Sequence, residues 1–170
     1  MLARRVLACA LVLGVVPGFL ACAGTASRDC SSALLDGVLE PGAGFGGLRL
    51  GMSRAEVEAA VGPAEQVRGE DAWEYPSCGF ALVFGPEQRL GALMAGGHST
   101  LNERFSVETA EGLGIGSSRE EVVSELGEPS RTSSEDQMLH YDERGVVWTL
   151  ADDRVAHIMI KRVGATSSEG

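Results

Sequence analysis

Two stretches of the chain carry the same pattern of apolar, polar and glycine positions. Residues 47–62 read GLRLGMSRAEVEAAVG, and residues 112–127 read GLGIGSSREEVVSELG, 65 positions further on. Each pattern predicts a short helix. Ser53 and Ser118 are N-caps, with Glu56 and Glu121 three residues on. That is a capping box in both copies: the hydroxyl accepts from the N3 amide and the carboxylate reaches back to the cap. Met52 is placed to staple onto Val57, whereas Ser117 cannot do the same for the second copy. Gly62 and Gly127 suit a left-handed helix end, and Pro63 and Pro129 prevent continuation. Helices of about eight residues do not persist alone. Val57, Ala60 and Val61, and in the second copy Val122 and Leu126, must therefore dock on something.

The docking partner is written next in the chain. Three β-rich runs follow each helix: residues 72–75, 80–84 and 90–94, then 138–141, 146–150 and 155–161. Turn residues separate them, among them Pro76-Ser77-Cys78-Gly79 and Asp152-Asp153. Trp73-Glu74-Tyr75 matches Leu139-His140-Tyr141, and Leu93-Met94 matches Ile158-Met159. Self-similarity in this order marks a repeat. One unit of about 50 residues buries too little surface to be comfortable, so two units should share a core. The expected fold is α+β: two tandem repeats, each a helix followed by a three-stranded antiparallel meander, sharing one sheet with the helices on one face. Repeat 1 is expected at residues 43–97, a linker at 98–104, repeat 2 at 105–163 with a possible strand near 105–108, and a frayed tail at 164–170.

The N-terminal pattern is of another kind. Arg4 and Arg5 precede an apolar stretch, residues 6–20, too short for a bilayer span of about 20 residues. It has the form of an export signal, expected over residues 1–21. Leu20-Ala21-Cys22 resembles the lipobox of bacterial lipoproteins, which implies lipidation of Cys22 and attachment to the membrane through acyl chains. Ala23, in the place where such proteins carry Asp for inner-membrane retention, implies the outer membrane on its periplasmic side. Residues 22–42 then serve as a tether.

Charge narrows the partners. There are 24 Asp+Glu against 14 Lys+Arg, a net charge of −10, and the excess grows once Arg4 and Arg5 are set aside. Such a surface repels phosphate backbones and anionic lipid, which argues against nucleic-acid binding. Of four cysteines, Cys9 lies in the signal and Cys22 is the lipidation site. Cys30 and Cys78 remain, an even pair in an oxidising compartment. A disulfide between them is expected, worth about 3–4 kcal/mol in the chain-entropy account. The alternative is two separate thiols.

The segment Gly51-Met52-Ser53-Arg54-x-x-Val57, followed by Gly62-Pro63, the aromatic strand Trp73-Glu74-Tyr75 and the later Arg89-Leu90, resembles two groups. One is the tandem-repeat fold of beta-lactamase inhibitor proteins. The other is the BamE type of outer-membrane assembly lipoprotein. The resemblance covers about residues 44–163 and implies a non-enzymatic protein-binding or scaffold module of the envelope, with an unidentified envelope protein as partner. The alternative it implies is an inhibitor of a periplasmic enzyme such as a beta-lactamase-like hydrolase. Fold alone does not decide between them.

Reactive machinery is not evident in the sequence. Gly42-x-Gly44-x-x-Gly47 matches a phosphate-loop spacing, but the strand-like Leu48-Arg49-Leu50 follows it where a helix is needed. His98, His140 and His157 are the imidazoles, and no carboxylate is clearly set beside them. The acidic pairs fall at a helix start or in turns, where they favour the helix dipole or solvate a loop. No nucleophile, base and oxyanion site come together, so neither catalytic residue, metal, cofactor nor small-molecule substrate is expected. Apolar neighbours along the strands, such as Val146 with Val147 and Ile158 with Met159, imply that the sheet face away from the helices keeps apolar side chains. Trp73, Tyr75, Tyr141 and Trp148 are the expected partner-binding anchors if they project there, and core residues if they do not.

Overall fold

The structure, a computed structural model, describes residues 37–96, 107–135 and 137–163. The expected signal, Cys22, Cys30, the linker and the tail lie outside the described residues. A short ribbon opens the body: β1 (Leu39–Glu40), β2 (Gly44–Phe45) and β3 (Leu48–Arg49). Then come α1 (Arg54–Val61), β4 (Gln66–Arg68), β5 (Ala72–Tyr75), β6 (Phe80–Phe84), a single 3₁₀ turn (Pro86–Gln88) and β7 (Leu90–Gly96). The second set is α2 (Arg119–Leu126), β8 (Arg131–Ser133), β9 (Met138–Tyr141), β10 (Val146–Ala151) and β11 (Arg154–Lys161). The eight strands from β4 onward form one antiparallel sheet in the order β4-β5-β6-β7-β11-β10-β9-β8. The fold is thus mixed α and β, with two helices and extensive antiparallel sheet.

The meanders are longer than expected. Each has a fourth, three-residue strand, β4 and β8, at the sheet edges. Both are too short and too polar (Gln-Val-Arg and Arg-Thr-Ser) to show an alternation, which is how edges resist pairing with other chains. The tether also ends earlier than residue 42. Leu39 is 1% exposed, pairs with Phe45, and its N–H donates to Glu108 O at 2.7 Å. The Gly42–Gly47 segment is a turn, the strand β2 and a second turn leading into β3, which rules out a phosphate loop opening a helix. Residues 107–108 add no strand; instead Val107 is buried and Glu108 supplies that acceptor.

Both helices follow the sequence closely. Glu56 N–H donates to Ser53 Oγ (3.3 Å) while Ser53 N–H donates to Glu56 Oε2 (2.7 Å); Ser118 and Glu121 do the same at 3.2 and 2.7 Å. At the other end, Gly62 has φ 79°, ψ 179° and Gly127 has φ 80°, ψ −170°. This is a positive-φ extended conformation rather than the left-handed helical one, and side-chain-bearing residues avoid it even more strongly. The carbonyl freed there has a dedicated donor. Tyr75 Oη donates to Gly62 O at 3.0 Å, and Tyr141 Oη to Gly127 O at 2.8 Å. Each helix end is pinned to the sheet by a buried tyrosine.

One core results. Val57, Val61 and Val122 from the helices, Leu39, Phe45 and Leu48 from the ribbon, and Leu82, Leu93, Trp148 and Ile158 from the sheet belong to a single buried cluster. Alternation assigns the inward positions: Tyr75, Phe80, Leu82, Phe84 and Leu93 on one side of the β7–β11 seam, and Tyr141, Val146, Trp148, Leu150 and Ile160 on the other.

Candidate functional site: the outer face of the sheet

The register now decides the question the sequence left open. Trp148 lies opposite Leu139 and Ile158, both core, and is itself 0% exposed. Tyr75 is 0% and Tyr141 3% exposed. Trp73, opposite Leu82, faces the same way; its ring packs edge-on against Phe84 (4.9 Å) with the Arg54 guanidinium over it (5.5 Å). All four expected anchors therefore belong to the helix side of the sheet. They are corrected here from docking residues to packing residues, because strand parity sends them inward.

The opposite face is carried by the residues in between: Ala81 and Val83 on β6, Ala92 and Met94 on β7, His157, Met159 and Lys161 on β11, Val147 and Thr149 on β10, and Met138 and His140 on β9. Val147 is 2% exposed yet stands outside the core cluster. Met94, Met159 and His157 are half-buried. The first-half part of this face is apolar at Ala81, Val83, Ala92 and Met94 and ends at its edge in an ion pair of Arg68 with Glu74 (2.6 Å). The second-half part is polar at its edge.

That edge is an ion network. Lys161 Nζ lies 2.9 Å from Asp142 Oδ1, and Arg131 Nε lies 3.3 Å from Asp142 Oδ2. The Lys161 side chain is only 7% exposed, against 39% for Asp142. The hydrogen bond from Lys161 holds the Asp142 carboxyl below the usual aspartate range, and the nearby positive charges of Lys161 and Arg131 act in the same direction. Next to it, Ser133 Oγ and His140 Nε2 are 2.8 Å apart. His140, 4% exposed, faces Arg131 across the ladder on one side and Val147 on the other. Sequence reasoning missed this group. Its members come from three strands and a turn, and nothing in their spacing joins them.

Elsewhere, a hollow of about 480 Å³ beside α2 is lined by Glu111, Leu113, Ser117, Glu120, Glu121 and Glu125, among others. Its chemistry is that of the helix start: Glu121 is held by Ser118, which keeps its carboxyl below the usual range. Among the described residues, no three His, Cys, Asp or Glu side chains are grouped to hold a metal, and no helix is long and apolar enough to cross a membrane. Cys78, 2% exposed at the β5–β6 turn, is disulfide-bonded. The other cysteines all lie outside the described residues.

No protein-family model matches this chain, and no curated protein does. Among solved structures, the chain is similar to the DUF4309 family protein YjgB from Bacillus subtilis subsp. subtilis str. 168. The TM-score is 0.50 at 15% identity, covering 79% of this chain and 97% of that one. At that identity the likeness bears on the fold alone.

Proposed function

We propose that this chain is a non-enzymatic cell-envelope lipoprotein that binds another envelope protein with the outer face of its sheet. The observation that carries the reading is the apolar content of that face. Met159, Met94 and Ala81, all half-buried, form a row across three neighbouring strands, on the side away from both helices and outside the single core. Apolar rows with a polar rim are what protein-binding surfaces are made of. The lipobox-like Leu20-Ala21-Cys22 supports a membrane-attached protein, with Cys22 lipidated and the outer membrane, periplasmic side, as its place. A disulfide at Cys78 fits an exported chain, and Cys30 is the partner the sequence leaves for it.

We also read the body as two tandem repeats, in keeping with the resemblance to the inhibitor and BamE-type groups. Support comes from contacts that recur 65 or 66 positions apart: the two capping boxes, the two Tyr–Gly pins, and the bridges Ser53–Arg89 and Ser118–Arg154. The sheet order runs outward symmetrically from the β7–β11 seam.

The test is site-specific photocrosslinking in the native envelope. A photoreactive side chain at Ala81 or Val83 should give a discrete protein adduct. The same group at Glu58, on the exposed side of α1, should give none. Adducts from neither position, or equally from both, would contradict the reading. A second reading, inhibition of a periplasmic hydrolase, is favoured by the joining of eight strands in one chain, as in the two-unit inhibitors. Inhibition assays against beta-lactamase-like enzymes separate it from the first.

A further inference from the structure

We infer that the protein partner of the outer face presents a carboxylate beside its apolar side chains, and that Arg131 receives that carboxylate. The inference rests on the docking reading of this face and adds what the partner must carry. Arg131 on β8 ends the same line of opposed residues. It lies opposite His140, His140 opposite Val147, Val147 opposite Met159, and Met159 opposite Met94. Directly opposed residues stand on one face, so Arg131 shares the face of the two methionines. Neighbouring strands are about 4.8 Å apart, which sets the backbone of Arg131 about 14 Å from that of Met159.

The charges at this edge do not cancel. Arg131 Nε–H donates to Asp142 Oδ2 at 3.3 Å, and Lys161 Nζ donates to Asp142 Oδ1 at 2.9 Å. Two cations share one carboxylate, so the network holds a positive charge in excess. The other edge is balanced, with Arg68 Nε 2.6 Å from Glu74 Oε1. Of the two cations on Asp142, Lys161 is turned in, with 7% of its side chain exposed against 38% for Arg131. Arg131 therefore presents the excess charge to solvent.

The guanidinium is aimed and not consumed. Its bond through Nε fixes its plane, and among the described residues no other hydrogen bond or ion pair engages Arg131. Both terminal nitrogens stay open, and their parallel N–H groups match the two oxygens of a carboxylate. A side chain already held in place loses less freedom on binding, and arginine is among the residues that dominate interface energies. Between the arginine and the methionines, His140 and Val147 are already buried. The partner thus meets two open points, the half-buried methionines and the Arg131 fork. The chain's net charge of −10 repels an acidic protein as a whole, so the match is to one carboxylate set among apolar side chains.

The experiment starts from the photocrosslink at Ala81 in the native envelope. The protein caught there is identified by mass spectrometry, purified and titrated with the full chain. Arg131→Gln should weaken binding at least about tenfold, the order expected for a charge-assisted contact. Its melting temperature should stay nearly unchanged, since Asp142 keeps Lys161. Arg131→Lys should recover only part of the affinity, because an ammonium cannot form the fork. Arg68→Gln, on the balanced edge, should bind like the parent. Changing the partner's contacting Asp or Glu to its amide should weaken binding as much as Arg131→Gln does, with little further loss when both changes are combined. That partner variant tests the contact without touching this chain's fold. Full affinity in Arg131→Gln, or after neutralising every partner carboxylate near the crosslink, would overturn this inference and leave the docking reading standing. Absence of any adduct in the parent would overturn both. Arg131-dependent binding to phosphatidylglycerol vesicles, with protein affinity untouched by Arg131→Gln, would give the fork to a lipid phosphate and overturn the inference as well.

Discussion

The half of the sheet built from β4–β7 and the half built from β8–β11 solve the same packing problem with different chemistry. In the first, aromatic rings do the filling. Tyr75 stacks on Phe80 (4.7 Å), Phe45 of the ribbon meets Phe80 edge-on (5.7 Å), and Arg54 lies over Trp73 and Phe84. In the second, Trp148 stands among aliphatic Leu139, Val146 and Ile158 with Tyr141 opposite Val146, and Arg119, which matches Arg54, turns instead to Asp153 at 2.7 Å. The helix approaches differ too. Met52 packs toward the core, while Ser117 Oγ accepts from Gly114 N–H at 3.0 Å. At the β5–β6 turn sits the disulfide-bonded Cys78; at the matching β9–β10 turn sits Asp142, reached by Arg131 from β8 and Lys161 from β11. What is shared is the set of local devices that fix the backbone. What differs is the filling, which tolerates variation as long as volume and polarity are satisfied.

The largest test of this comparison is truncation at the matched inward positions. Trp148→Ala should cost about 3–5 kcal/mol and Leu82→Ala about 2–5 kcal/mol, read by denaturant unfolding. Both sites are fully buried, so the losses should be similar in kind, and each should unfold the whole body. Trp148→Phe should cost far less than its lost volume suggests. The indole Nε1–H has no hydrogen-bond partner among the described residues, so its removal also relieves a desolvation cost.

Next comes the ion network, which belongs to the second half alone. Asp142→Asn leaves the buried Lys161 without its carboxylate and should cost about 1–2 kcal/mol, after discounting for the exposure of Asp142 to solvent. Lys161→Met in the same chain should recover much of that loss. The pH dependence follows in sign. The folded state depresses the Asp142 pKa, so its stabilisation is complete above the unfolded value, near pH 4. It is lost as pH falls through the lower folded value. Stability measured from about pH 5 downward should therefore fall less steeply in Asp142→Asn than in the parent.

The shared devices should give matched effects. Tyr75→Phe and Tyr141→Phe each leave a glycine carbonyl at a helix end without its donor, and each should cost about 1–2 kcal/mol. The smallest effect is at the caps: Ser53→Ala and Ser118→Ala should each cost about 1 kcal/mol, equal within error. A clear inequality within either pair would mean that the two halves are less alike locally than their contacts imply.

Much of this fold was legible because local physical chemistry wrote it. A capping box is a four-residue statement, and both were read at the right serines. The runs 72–75, 80–84 and 138–141 are strands with those bounds. The polar edge strands were not legible, since three residues without an apolar side show no period. The β1–β3 ribbon was hidden by glycines, whose lack of a side chain erases the pattern. At Gly44 a Cβ would lie 2.0 Å from Leu48 O, so the close approach that builds the ribbon also removes its sequence signature. The candidate site suffered from parity. With Val146, Val147 and Trp148 all apolar, a shift of one residue exchanges the faces. Only the register shows that Val147 looks outward while Trp148 looks in.

Everything above depends on the two unlike halves sharing one interior. Native-state amide hydrogen exchange tests this most directly. The slowest amides of β5 and β6 and those of β9 and β10 should open with one common free energy, equal to that of global unfolding. A half that exchanges through its own, lower-energy opening while the other stays protected would contradict the account.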